Sequence, residues 1–137
     1  MKMKLLLVSA MFLYGFSATS QEVTYEEYNL ENDLHVILHQ DNTAPIISIS
    51  VLYHVGSKDE DPKRTGFAHF FEHLLFEGTE NIEKGQWDKI VSSNGGSGNA
   101  TTNEDRTYYY EIFPSNNLEL GLWLESERML HPVINQK

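Results

Sequence analysis

The sequence predicts an α/β protein, a layered α+β sandwich with helices packed on a mixed sheet, and three observations carry that reading. The runs Ile46 to Val55 and Thr107 to Phe113 are rich in β-branched and aromatic residues, the composition of strands that pack on a core. The stretches 65–77 and 84–94 carry their apolar residues at helical spacing instead. The order is strands, helices, strands, helix, and no repeat, low-complexity tract or linker interrupts it after residue 20, which is the pattern of one layered unit.

The first twenty residues stand apart. Met1 to Lys4 is basic, Leu5 to Phe16 is apolar, and Ala18-Thr19-Ser20 ends in small residues before Gln21. This is the pattern of a secretory signal peptide cut after Ser20, and its apolar core of about a dozen residues is short for a bilayer span. The expected division is therefore a signal peptide over 1–20 and a product over 21–137, periplasmic or secreted, with no stable membrane insertion after cleavage. The chain has no cysteine, which excludes a disulfide framework and a lipid-attachment cysteine.

From Tyr25 to His39 two short strands are expected around Glu31-Asn32-Asp33, with Leu34, Val36 and Leu38 alternating against His35, Ile37 and His39. A buried strand follows over Ile46 to Val55, ended by the polar loop Gly56 to Pro62. The helix after it runs from about Thr65 to Glu77, with Gly78 suited to the C′ position. In the next helix, Lys84 to Asn94, the residues Trp87, Ile90 and Val91 share one side before Gly95, Gly96 and Gly98 break the pattern. Asn99 to Thr102 and Thr107 to Phe113 then read as a strand pair turned by Asn103-Glu104-Asp105. Ser115 or Asn116 can cap a last helix that reaches about Leu130, where Pro132 forces His131 out of helical geometry.

The chemistry concentrates in His69-Phe70-Phe71-Glu72-His73. At about 100° per residue, with His69 at zero, Glu72 falls near 300° and His73 near 40°, so one stripe carries all three polar groups. Phe67, Phe70, Phe71, Leu74 and Leu75 fall on the opposite side, the face expected to pack on the core. Histidines four apart can both present a ring nitrogen to one zinc ion, and a carboxylate between them can stay off the metal and take a proton from a water molecule. His69 and His73 are thus candidate metal ligands and Glu72 the candidate general base. Glu77 lies too far along the helix from His69 to share the ion and reads as a solvent-facing helix-end residue. Glu119, Glu125 and Glu127 read as a solvated face, and His35, His39 and His54 have no ligand-like spacing to the motif.

The formal charge is −10, and −12 without residues 1–20. An acidic chain of this kind argues against nucleic acid or an anionic membrane as partner, for which a basic face is needed.

Several separated stretches carry a resemblance. They are SISVLYHVGSKDE from Ser48 to Glu60, GFAHFFEHLLFEGT from Gly66 to Thr79, and GGSGNATTNEDRTYYYE from Gly95 to Glu111. In this combination and order the chain resembles the pitrilysin and insulysin family of zinc metallopeptidases, the inverzincins, which includes mitochondrial processing peptidase and bacterial periplasmic zinc proteases. The resemblance implies that His69 and His73 bind zinc and that Glu72 activates the attacking water. It also implies that Asn99 and Ala100, on an edge strand, hold the backbone of a peptide substrate that adds to the sheet. The glycines ahead of them would then admit a close backbone approach.

A third zinc ligand, a glutamate, is implied beyond Lys137, together with a second homologous half or partner subunit. The chain is accordingly expected to be the N-terminal part of a pitrilysin-type domain, inactive and marginally folded in isolation. The leading expectation is a zinc-dependent endopeptidase acting on extended peptides or unfolded segments. The alternative is a non-catalytic binding or assembly subunit of the same fold.

Overall fold

The computed structural model describes residues 22–134, so the expected signal peptide lies outside the described residues. These group into two compact units, one up to Asn42 and one from Thr43 onward. No helix among them is long and apolar enough to cross a membrane.

The first unit is the expected hairpin. Strand β1 (Glu26–Asn29) pairs antiparallel with β2 (His35–Leu38) in the register Glu26↔Leu38 to Asn29↔His35. Asp33 supplies the positive φ, 65°, of the turn, a conformation that aspartate adopts more readily than most residues.

The second unit is built on β3 (Ile46–Tyr53), β4 (Ser97–Thr102) and β5 (Thr107–Pro114), in the order β3-β5-β4. The layered α/β arrangement is as expected, but every ladder among the described residues is antiparallel rather than mixed. Along β3 exposure alternates strictly, with Ile47, Ile49, Val51 and Tyr53 turned inward, and the register sets them opposite Phe113, Glu111, Tyr109 and Thr107. Gly98, Ala100 and Thr102 of β4 extend that same face.

Helices α1 (Phe67–Leu74), α2 (Trp87–Ser93) and α3 (Leu118–Leu130) follow their expected order with shorter ends. Beyond Leu74 the chain winds on with tighter bonds, Phe76 N–H to His73 O and Glu77 N–H to Leu74 O, so Gly78 follows this turn instead of capping α1. Before α2, Gly85 takes a positive φ of 74°, which delays the helix to Trp87. Ser115–Asn117 form a 3-10 turn, so the residue ahead of α3 is Asn117 and neither Ser115 nor Asn116 caps it. His131 leaves helical geometry as the following proline requires. The core gathers Ile82, Trp87, Val91, Phe113 and Leu124, with Ile47, Phe76, Ile90 and Leu120 packed around them.

Two expectations about helix faces are overturned. Phe67, Phe70 and Phe71 are exposed, Phe70 to 56%, whereas Glu72 is only 8% exposed. The side of α1 that meets the sheet is the one carrying Ala68, Glu72 and Leu75, at about 270° on the wheel, so the stripe holding the carboxylate is the packed one. On α3, Glu125 and Glu127 are buried rather than solvated. Glu127 accepts from Thr79 Oγ1 at 2.8 Å and Asn81 Nδ2 at 2.9 Å, which together hold its carboxyl below the usual range. Glu125 meets Arg128.

Candidate metal centre

The start of α1 is fixed from outside the helix. Gly66 stands at the N-cap with φ 95°, a left-handed conformation that leaves its own side without a capping group. Glu60 supplies the cap instead, accepting from Gly66 N–H at 2.8 Å and from Ala68 N–H at 2.7 Å. These backbone donors, Ala68 first, hold the Glu60 carboxyl below its ordinary range.

One turn further, His69 and His73 stand side by side on the exposed flank of α1, with Nε2 to Nε2 3.1 Å. Two nitrogens at 2.0–2.1 Å from one tetrahedral ion lie about 3.3 Å apart. The pair is therefore close to the geometry of two ligands on one zinc ion. Among the described residues no group of three or more His, Cys, Asp or Glu could hold a metal ion.

Glu72 turns from the histidines toward the sheet. Its Oε2 accepts a hydrogen bond from Thr102 Oγ1 of β4, and its backbone carbonyl accepts from Tyr109 Oη of β5 at 3.4 Å. Burial pushes the Tyr109 phenol well above its ordinary pKa, so it stays a donor. Lys58 and Asp105, 2.7 Å apart, join the loop after β3 to the β4–β5 turn. Between α1 and that turn lies a cleft of about 530 Å³ whose walls include Glu60, His69, Glu72, Ala100, Thr102 and Glu104. A mostly apolar recess of about 560 Å³ lies along Tyr53, Val55, Phe67, Phe71, Leu75 and Tyr109 and shares Glu72 with it.

The structure thus brings His69, Glu72 and Ala100 to one cleft, with His73 beside His69. Asn99 is not part of the cleft wall; its Oδ1 accepts from Ala100 N–H at 2.9 Å. The room at Gly96 and Gly98 is taken by core side chains, since an added Cβ would fall 2.3 Å from the Phe113 ring and 2.7 Å from Glu111 Cγ. Those glycines serve the sheet's own packing. Glu77 pairs with Lys84 at 2.7 Å on the surface, as a helix-end residue should.

Sequence reasoning missed Thr102 and Glu60. The alternation of β4 places Thr102 on the face of Ala100 and could have found the first. No local pattern points to a cap six residues ahead of Gly66.

A model of the family "Insulinase (Peptidase family M16)" matches residues 35–137. The zinc protease PqqE of Helicobacter pylori is 37% identical over 131 residues, covering 92% of this chain and 30% of that protein. Human insulin-degrading enzyme is 32% identical over 113 residues, 82% of this chain and 11% of that protein. The crystal structure of a protease from Helicobacter pylori superposes with a TM-score of 0.80 at 36% identity, over 83% of this chain and 28% of that one. The chain spans less than a third of the length of each of these proteins.

Proposed function

The chain belongs to the insulinase family of peptidases, family M16, and from that membership we propose that it supplies two metal ligands and the general base of a zinc endopeptidase. The observation that carries the reading is the 3.1 Å approach of His69 Nε2 to His73 Nε2, with Glu72 in the wall of the cleft that His69 also lines. Two neutral imidazoles with a carboxylate kept off them are a donor set that suits zinc. When bound, zinc supplies Lewis acidity toward a water molecule and the scissile carbonyl.

The remaining work falls to the chain's own side chains. His69 and His73 hold the ion, and Glu72 takes the proton of the attacking water and returns it to the leaving amine. The third ligand is assigned to a glutamate beyond Lys137, in a longer protein of which this chain is part. An extended peptide adds along β4, which is an edge strand of the described sheet, with Asn99 and Ala100 holding its backbone. The substrate is an extended peptide or unfolded segment, enclosed by a second homologous half from the same chain or a partner. Residues 1–20 support a periplasmic or secreted location for the product. A purely structural role has less support, because His69, Glu72 and His73 are all intact.

The test is Glu72→Gln in the whole protein. Turnover of a fluorogenic peptide should fall by about 10²–10⁴-fold while zinc content and peptide binding persist. Turnover that survives the change would remove Glu72 from the role of base.

A further inference from the structure

We propose that Thr102 is the positioning residue for Glu72, its hydroxyl holding one carboxylate oxygen so that the other is the one left to take the proton. This deepens the peptidase reading and rests on Glu72 being its base. The hydroxyl of Thr102 donates to Glu72 Oε2 across the contact between β4 and α1. A largely buried carboxylate is costly to keep without a donor, and this bond is the side-chain partner Glu72 has among the described residues.

Thr102 is itself held. It pairs with Thr107 in the β4–β5 register, and the Thr107 hydroxyl lies 3.5 Å from its own while donating to Val55 O at 3.1 Å. A β-branched side chain in a strand has few χ1 choices, so the direction of the Oγ1 follows from the register. Two residues along the same strand, Ala100 turns to the same face, at the position proposed to meet the peptide backbone. One strand therefore sets both the substrate's register and the base's orientation. A slip of one residue would turn Thr102 to the far face and release Glu72.

The experiment compares Thr102→Val, which keeps the shape and removes the hydroxyl, with Thr102→Ser, which keeps the hydroxyl, in the whole zinc-loaded protein. For Thr102→Val, kcat on a fluorogenic peptide should fall about 10–100-fold, the range for loss of an orienting outer partner, with KM, zinc content and melting temperature held. Thr102→Ser should recover most of kcat. In metal-free crystals the Glu72 carboxylate should leave its place in the valine variant and keep it in the serine variant, a readout independent of activity.

Unchanged kcat with an unmoved Glu72 in Thr102→Val overturns the proposal, as does a loss matched by equal loss of zinc or of melting temperature. If Thr102→Ser shares the full defect, the hydroxyl is not the cause and the proposal also falls. A wild-type protein with no zinc-dependent turnover overturns the peptidase reading itself, and the role given to Thr102 with it.

Discussion

Arg128 Nη2 lies 2.9 Å from Glu111 Oε1, and both residues are only 1% exposed. Trp87 Nε1 donates to the same oxygen at 3.1 Å, and Glu125 Oε1 takes a second contact from Nη2, also at 3.1 Å. The guanidinium carbon sits 4.1 to 4.5 Å from the ring centres of Trp87, Tyr109 and Phe76. Its Nη1 donates to Leu75 O at 3.2 Å, just past the end of α1. Two carboxylates share one buried cation, and the excess is met by a proton. Oε2 of Glu111 is buried without a donor, the place for a proton shared with Glu125. Burial first, then Glu125, push the Glu111 carboxyl up to about 8 against the pull of Arg128.

The pH dependence of stability follows in sign. Between the ordinary carboxyl value of 4.5 and about 8, folded Glu111 keeps a proton that the unfolded chain has released. Stability therefore falls as pH rises through that window and levels off above it. Glu111→Gln retains an oxygen for Arg128 and Trp87 and carries a permanent donor toward Glu125. The variant should lose this part of the slope and melt above the wild type at pH 8.5. Calorimetry at pH 5 and 8.5 checks it; parallel melting curves for the two proteins would contradict the assignment.

Arg128→Met removes the one cation from this cluster. The Glu111 and Glu125 carboxyls, with one proton between them, are left buried without their cation, so the variant should lose about 3–5 kcal/mol of stability. Adding Glu111→Gln and Glu125→Gln should restore much of that loss, because no buried charge then lacks its partner. Urea titrations of the single and triple variants decide it. An equal loss in both would assign the effect to packing against the aromatic rings instead.

The sheet was legible because β3 and β5 write their period into side-chain type, and the His69–His73 pairing because histidines four apart on a helix share one flank. The same reasoning misread both helix faces for one physical reason. Periodicity reports where apolar residues lie, and here the packed sides of α1 and α3 carry the carboxylates of Glu72 and Glu125. Each is admitted by a partner distant in sequence or by a nearby cation, Thr102 for Glu72 and Arg128 for Glu125. The phenylalanines of α1 had the stronger apolar signal yet stay exposed among the described residues. Glu60 was missed because its bonds span a loop.

Removing the Glu60 cap should loosen the first turn of α1, the turn that leads into His69. With Glu60→Ala, the amides of Gly66 and Ala68 lose their acceptor, and their hydrogen exchange should quicken ahead of the rest of the helix. The Glu60 carboxyl is held below 4.5 when folded, so its stabilisation is present above that value and fades as pH falls through the acid range. Wild type and variant should thus converge at low pH. Exchange rates unaffected at neutral pH would show that water replaces the cap without cost.

The edge of β4 gives the last prediction. Ala100 N–H donates to Asn99 Oδ1 at 2.9 Å, so this carboxamide competes with any other acceptor for the amide. A peptide that pairs with this edge takes that amide, and the freed carboxamide can donate its own N–H groups to the peptide backbone. Asn99→Asp acts against both steps. A carboxylate holds the Ala100 amide more firmly and has no N–H to offer. KM for an extended peptide should rise about tenfold, the equivalent of one net hydrogen bond, while kcat stays near the wild-type value because substrate and transition state lose the bond alike. Asn99→Ala, which lacks both competitor and donor, should fall between the two. Steady-state kinetics on all three proteins tests the order, and identical KM values would move peptide docking away from this edge.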